Sequence, residues 1–449
     1  MKVNDRALDS HWSWITATAV AACFGPYFVG GLRTEQIAFY GLTVWSLLLV
    51  AFNRKYISQR SPKVLVGLWI GIAAIATLAT VSGTSWFSRG RYSFSLQEVD
   101  NWVMPIASLT LAWSVAQVCN RCAILVSYAY TLTFFLTLNC GVQIVQLVQG
   151  PSGPIVSALR PFWSGASTGY ADSRGFASVG ERVFTSERLT GVVNQPTEAG
   201  ILYSLGLIVL VWAYRSDHIT FRKFILIAPI ITLGGILTIS KAFILIGIPL
   251  SLALLIYGAT FTKTARALGA TILMLLGAWV VLIRREWSRS DGLLEWLIGL
   301  SSIRGASGGR YGTESGLYGV TVRGILDNSP IIGFGLDPYV LTDSELVRVL
   351  ASSGLVGLAL LLGFYWTLFR YSYRLKQELD RQTWLLSLAV VVLLIGGGLG
   401  VATIPANRVG SLLVFVVGIL LCTGQQRPVK RKRCPAYKFP KDLGAVRRR

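Results

Sequence analysis

Apolar runs recur along this chain at lengths of roughly 18–25 residues, each long enough to cross a hydrocarbon layer about 30 Å thick. "KVLVGLWIGIAAIATLATV", Lys63–Val81, is one of them. A segment in lipid has no water to satisfy its backbone, so each run must close its hydrogen bonds internally as a helix. An open β-sheet is excluded, and the pattern predicts an all-α polytopic membrane protein. Twelve spans are expected, near residues 14–31, 35–52, 64–82, 102–119, 122–148, 196–214, 223–239, 242–260, 265–283, 344–369, 384–404 and 408–424. Composition agrees, with 53% of the 449 residues hydrophobic and only 14% charged. Met1–Ser10 is polar and the first apolar run leads straight into more membrane, so no cleavable secretory signal is expected.

Lysine and arginine in short turns set the orientation. Asn53–Lys63, Arg215–Lys223, Phe261–Arg266 and Arg370–Arg381 are basic, and so is the tail "QQRPVKRKRCPAYKFPKDLGAVRRR". If the helices alternate, all five fall on one side, which is expected to be the cytoplasm and to hold both termini. The two long loops, about 149–195 and 284–343, then face outward, where ATP and nucleotide sugars are scarce. The expected division is a membrane domain at 1–424 and a basic, structureless tail at 425–449. The net charge of +21 invites a nucleic-acid reading. A polybasic segment beside a last span is instead drawn to anionic lipid by about 1 kcal/mol per residue, so no nucleic-acid partner is expected.

The two sides differ in more than charge. Ten of eleven lysines fall inside and only Lys241 outside, whereas fifteen arginines, among them Arg33, Arg188, Arg304, Arg310, Arg323, Arg348 and Arg408, fall on the outer side. Arginine presents a planar fork of donors that never loses its charge, which suits bidentate binding of phosphate or pyrophosphate. About half of these arginines are expected simply to pair with outer acids. Arg188 stands just before a span. Arg304 and Arg310 lie in the glycine-rich "IRGASGGRYGTESG", and Arg323 in "YGVTVRGILDNSP", readable as a short amphipathic helix. Lys241 sits in a tight outer turn at a helix start.

The outer acids are candidates for proton transfer. Thr342 and Glu345 have capping-box spacing, and Asp343 falls where a helix dipole favours negative charge. Glu345 and Arg348 can pair on one face. Either acid could instead serve as a general base, or Asp343-Ser344-Glu345 as a metal-binding pair. Glu198, at another outer helix start, is expected to cap its helix. The only histidines, His11 and His218, fall on or near the inner side, which excludes an outward serine–histidine or cysteine–histidine device. Cys119 and Cys122 form a single C-x-x-C. Zinc would need two more ligands, and no histidine or second pair is expected nearby, so structural cysteines and no metal site are predicted. No P-loop, dinucleotide fingerprint or haem signature is present.

Three stretches resemble the O-antigen polymerase and ligase superfamily, which includes the Wzy-type polysaccharide polymerases. They are "RLTGVVNQPTEAGIL", "LTISKAFILIGI" and "GGRYGTESGLYGVTVRGILDNSPIIGFGLDPYVLTDSELVRVLASSGLVGL", covering roughly residues 180–365. The resemblance implies a GT-C-like glycosyltransferase architecture in a bacterial inner membrane. It implies polymerisation of undecaprenyl-pyrophosphate-linked repeat units at the outer face, without cofactor or metal. Implied partners are those lipid-linked glycans and membrane lipid, together with a chain-length regulator and a flippase. By resemblance, Arg188, Arg304, Arg310, Lys241 and Arg323 would grip pyrophosphate, and Asp343 or Glu345 would act as base. Ligases of the superfamily carry an outer-loop histidine that this chain lacks, which favours polymerase over ligase. A lipid-linked glycan flippase or anion transporter would need arginines along a pathway through its spans, and the rod-shape peptidoglycan polymerases show no specific motif here.

Overall fold

The computed structural model describes residues 5–28, 33–52, 62–82, 96–118, 121–150, 153–159, 162, 188–193, 195–257, 317–336, 344–406 and 408–422. Within them the chain is helical, and the only bridge between extended segments joins Tyr27 and Arg33. The helices are α1 (Asp5–Ala22), α2 (Thr34–Phe52), α3 (Lys63–Val81), α4 (Leu96–Val118), α5 (Arg121–Gln149), α6 (Pro154–Ala158) and α7 (Pro196–Arg215). They continue as α8 (Phe221–Leu237), α9 (Phe243–Ile256), α10 (Leu317–Asn328), α11 (Glu345–Arg374), α12 (Arg381–Gly400), α13 (Thr403–Ala406) and α14 (Arg408–Cys422).

Six helices are long and apolar enough to cross a membrane: Thr34–Phe52, Lys63–Val81, Arg121–Gln149, Pro196–Arg215, Glu345–Gln377 and Arg381–Gly400. They mark a membrane-embedded protein. Their outward faces are apolar too: Trp45, Leu48, Ile70 and Leu78 on α2 and α3 are exposed, as lipid-facing side chains must be. The bundle is built around α7 and α14. The apolar stretch of α7 is 94% buried, and every residue of α14 is buried. α7 packs on α5, α8, α9 and α12, while α14 lies along α4, α11 along α3, and α1 along α5.

Ten of the twelve expected spans fall on described helices, six of them long and apolar enough to cross a membrane, and the one expected at 265–283 lies outside the described residues. The tail at 425–449 and most of both long loops also lie outside them. The first expected span needs correction. Its helix is Asp5–Ala22, not 14–31, and the chain then turns. Gly25-Pro26 is the cause, because proline pushes the preceding residue out of the helical region. The Pro26 carbonyl accepts from the Thr34 hydroxyl at 2.5 Å, which anchors the turn on α2.

α11 is two helices in one. Gly354 has φ 64° and ψ −162° and breaks it, in a region only glycine occupies readily. The backbone groups freed there are taken up by residues 330–336. Phe334 N donates to Ala351 O (2.7 Å), Gly335 N to Ser352 O (3.0 Å), and Leu355 N to Pro330 O (2.8 Å). Thr80 Oγ1 accepts from Leu336 N at 2.9 Å, and Trp102 Nε1 donates to Leu336 O at 3.2 Å. Irregular backbone inside a membrane protein survives only where protein satisfies it in this way.

Candidate functional site

One end of the bundle collects the polar groups. α5 is mostly apolar, yet Asn139, Gln143 and Gln146 fall at helical spacing on one face and are all buried. This stripe of amides grips residues 188–193. Asn139 Nδ2 donates to Thr190 O (3.1 Å), and its Oδ1 accepts from Val192 N (2.8 Å). Gln143 Nε2 donates to Leu189 O (2.9 Å). Gln146 exchanges a reciprocal pair with Gly191, each at 2.9 Å. Gly191 has φ 67° and lies against the Asn139 side chain, so both the turn and the contact demand a residue without Cβ.

This ledge presents Arg188. The guanidinium is partly buried, and its Nε donates to Thr238 O at 3.2 Å. Leu189 N donates to Leu237 O at 3.0 Å. Arg188 is therefore tied to the Thr238–Lys241 turn that opens α9. Ser240 and Thr238 in that turn pack against Gly200 in the first part of α7, next to Glu198. Two residues expected to act together, Arg188 and Lys241, thus share one neighbourhood.

Behind it lies a charge network. Arg33, at the start of α2, approaches Glu35 (Nε to Oε1, 3.1 Å) and Asp100 of α4 (Nη2 to Oδ2, 3.4 Å). Arg408, the first residue of α14, approaches Glu35 from the other side (Nε to Oε2, 3.5 Å). Its guanidinium lies 4.7 Å from the Tyr27 ring centre. These approaches are within ion-pair range but do not align an N–H for a hydrogen bond at the Glu35 oxygens. The two Nη atoms of Arg408 are buried with no hydrogen-bond partner among the described residues. Asp100 also accepts from Tyr40 Oη at 2.5 Å and from Gln36 Nε2. Glu198 is 3% exposed and lies within electrostatic reach of Arg408, Arg33 and Glu35. Helices α2, α4, α7, α11 and α14 all begin at this end.

The remaining expected site residues fare differently. Glu345 is buried, but its carboxylate is occupied: Oε1 accepts from Tyr365 Oη (2.8 Å), and Oε2 from Thr403 N and Ile404 N (3.1 Å each). It therefore caps α13 rather than its own helix. α11 starts at Glu345 itself, with Ser344 as its N-cap, and Thr342 of the expected capping box lies outside the described residues. Arg323 is exposed on α10 and joins the Arg188–Lys241 neighbourhood through no contact among the described residues. Asp343, Arg304 and Arg310 lie outside the described residues. Glu198 was expected to cap α7, yet it makes no hydrogen bond among the described residues, and its N-cap Gln195 makes no side-chain cap either. The amide stripe on α5 and the Arg33–Glu35–Arg408 chain escaped sequence reasoning. Only the spacing of Asn139, Gln143 and Gln146 in an apolar run could have signalled the first.

The opposite end is basic, carrying Arg215, Arg222, Lys223, Arg370, Arg374 and Arg381. Arg215 donates to the last carbonyls of α9, Leu255 O and Tyr257 O, at 3.3 Å each, a favourable place for a cation. Here the expectation that no histidine lies near the C-x-x-C is overturned. Cys122 Sγ is 3.3 Å from His218 Nε2, because the α7–α8 turn folds back over the start of α5. Tyr130 Oη holds that turn by donating to His218 O at 3.1 Å. Among the described residues no cluster of three or more histidine, cysteine or acidic side chains could hold a metal. No family model matches the chain, and no curated protein matches it.

Proposed function

We propose that this chain is a glycosyltransferase that polymerises oligosaccharide units carried on undecaprenyl pyrophosphate, at the extracytoplasmic face of a bacterial inner membrane. The observation that carries the reading is the ledge. Arg188 precedes a main chain that buried amides hold at residues 189–192 and is bonded to the turn that bears Lys241, which brings two cationic residues to the end opposite the basic turns. Cations held in that manner stabilise charge as a pyrophosphate leaves and cost no reorganisation at the moment of reaction. A pyrophosphate leaving group needs charge neutralisation more than it needs an acid, unlike the sugar oxygen released by a glycosidase. In this reading Arg304 and Arg310 complete the anion grip. Arg323, exposed on α10, is the weakest member of the set.

The test is reconstitution. Purified protein in liposomes with undecaprenyl-pyrophosphate-linked oligosaccharide should yield ladders of longer lipid-linked chains. Arg188→Ala and Lys241→Ala should each lower the rate by about 100-fold or more, the usual scale for loss of a charge-stabilising donor. Movement of the lipid-linked unit between leaflets without elongation would replace this reading with the flippase. Transfer only to a different lipid or protein acceptor would replace it with the ligase.

A further inference from the structure

We propose that Glu198 accepts the hydroxyl proton in glycan transfer, an inference that rests on the polymerase reading. The argument is one of occupancy and place. A carboxylate 3% exposed at the start of a helix ordinarily spends its oxygens on backbone N–H groups. Glu345 does so, with three donors on its two oxygens. Glu198 has no hydrogen bond among the described residues, though it stands at the position of α7 from which a capping box would reach back. Its surroundings supply charge instead of hydrogen bonds. Arg33, Glu35 and Tyr27, at the start of α2 and in the turn before it, and Arg408, at the start of α14, lie within electrostatic reach of it. On the other side lies the turn bearing Lys241.

Within that cluster, Arg33 and Arg408 already share Glu35, and Arg33 also has Asp100. Of Glu35, Asp100 and Glu198, Glu198 is the one with neither an ion pair nor a hydrogen bond among the described residues. The only described histidine with a placed side chain, His218, lies at the opposite end.

The step balances without another reactant. The acceptor hydroxyl oxygen forms a bond to the donor's anomeric carbon. The bond from that carbon to the pyrophosphate oxygen breaks, and its electron pair leaves on the phosphate. The hydroxyl proton passes to the Glu198 carboxylate, which later releases it to water.

The experiment uses the full chain in liposomes with undecaprenyl-pyrophosphate-linked oligosaccharide, comparing wild type, Glu198→Gln and Glu198→Asp across pH. The proposal expects Glu198→Gln to lower kcat by about 100-fold or more with little change in KM, the scale of general-base assistance. It also expects the rise of rate with pH to vanish in Glu198→Gln and to shift in Glu198→Asp. A Glu198→Gln protein with near-normal kcat and the wild-type pH profile overturns it. If Glu198→Gln fails to fold, Glu198→Asp decides: an unshifted pH profile overturns the proposal. A wild-type protein that elongates nothing counts against the polymerase reading itself, a separate outcome.

Discussion

Arg408 and Glu35 form an ion pair closed to solvent, with side-chain exposures of 1% and 0% and an Nε–Oε2 distance of 3.5 Å. The pair joins the first residue of α14, the most enclosed helix, to the first turn of α2. Glu35 also serves Arg33, so one carboxylate holds two guanidinium groups. Breaking such a pair from one side leaves an uncompensated buried charge, at a cost of about 3–5 kcal/mol. Glu35→Gln should therefore destabilise more than the double variant Glu35→Gln/Arg408→Met. A thermal-unfolding double-mutant cycle in detergent measures the difference, and additive single effects would show that the pair is not coupled.

The break in α11 should tolerate no side chain. At Gly354 a Cβ would collide with the Ile331 carbonyl of the segment that caps the break, and the backbone is left-handed there. Gly354→Ala should lose at least about 1–3 kcal/mol, the usual cost of such a conformation. The same substitution at Gly67, where a Cβ would meet nothing within 4 Å, should be neutral or slightly stabilising, by about 1 kcal/mol at most. Melting temperatures of the two variants, taken at one scan rate, decide this.

Glu345 should behave as structure. Glu345→Ala orphans two backbone donors of α13 and the Tyr365 hydroxyl, at about 1–3 kcal/mol for each buried group left unsatisfied. Glu345→Gln retains an oxygen acceptor and should lose less. If the proposed polymerase activity holds, the activity left in Glu345→Gln should follow the wild-type pH profile. A flattened pH profile in Glu345→Gln would instead give Glu345 a part in proton transfer.

His218 makes the basic end sensitive to acid. Burial lowers its pKa below the ordinary 6.5, against an opposing pull from Asp380 and Asp217. The unfolded chain therefore binds this proton more readily than the folded one. The contribution is fully present above pH of about 6.5 and is lost as pH falls through the folded value. Melting temperature should drop between pH 7 and pH 5 in wild type, and less steeply in His218→Gln. Parallel slopes would show that the histidine carries no such linkage.

Most of the helical layout was legible because membrane helices announce themselves by length and apolarity, and Pro196–Arg215 was placed almost to the residue. The limits of α1 were not, since the apolar residues past Ala22 conceal the Gly25-Pro26 turn. Arg188 and Lys241 stood out in the sequence by their isolation beside spans, but the bond that ties Arg188 to the Lys241 turn, through Thr238 O, crosses 50 positions and was not legible. Glu345 could not be told from a free acid, because Thr403 and Ile404, whose backbone occupies it, lie 58 and 59 positions away. The Cys122–His218 contact spans 96 positions, and nothing local foretells it.

The amide stripe of α5 also bears on affinity. With Leu189, Thr190, Gly191 and Val192 already fastened to Asn139, Gln143 and Gln146, the main chain under Arg188 surrenders its freedom during folding. A bound anion then has only side-chain torsions left to immobilise, so more of each charge contact survives as net binding strength.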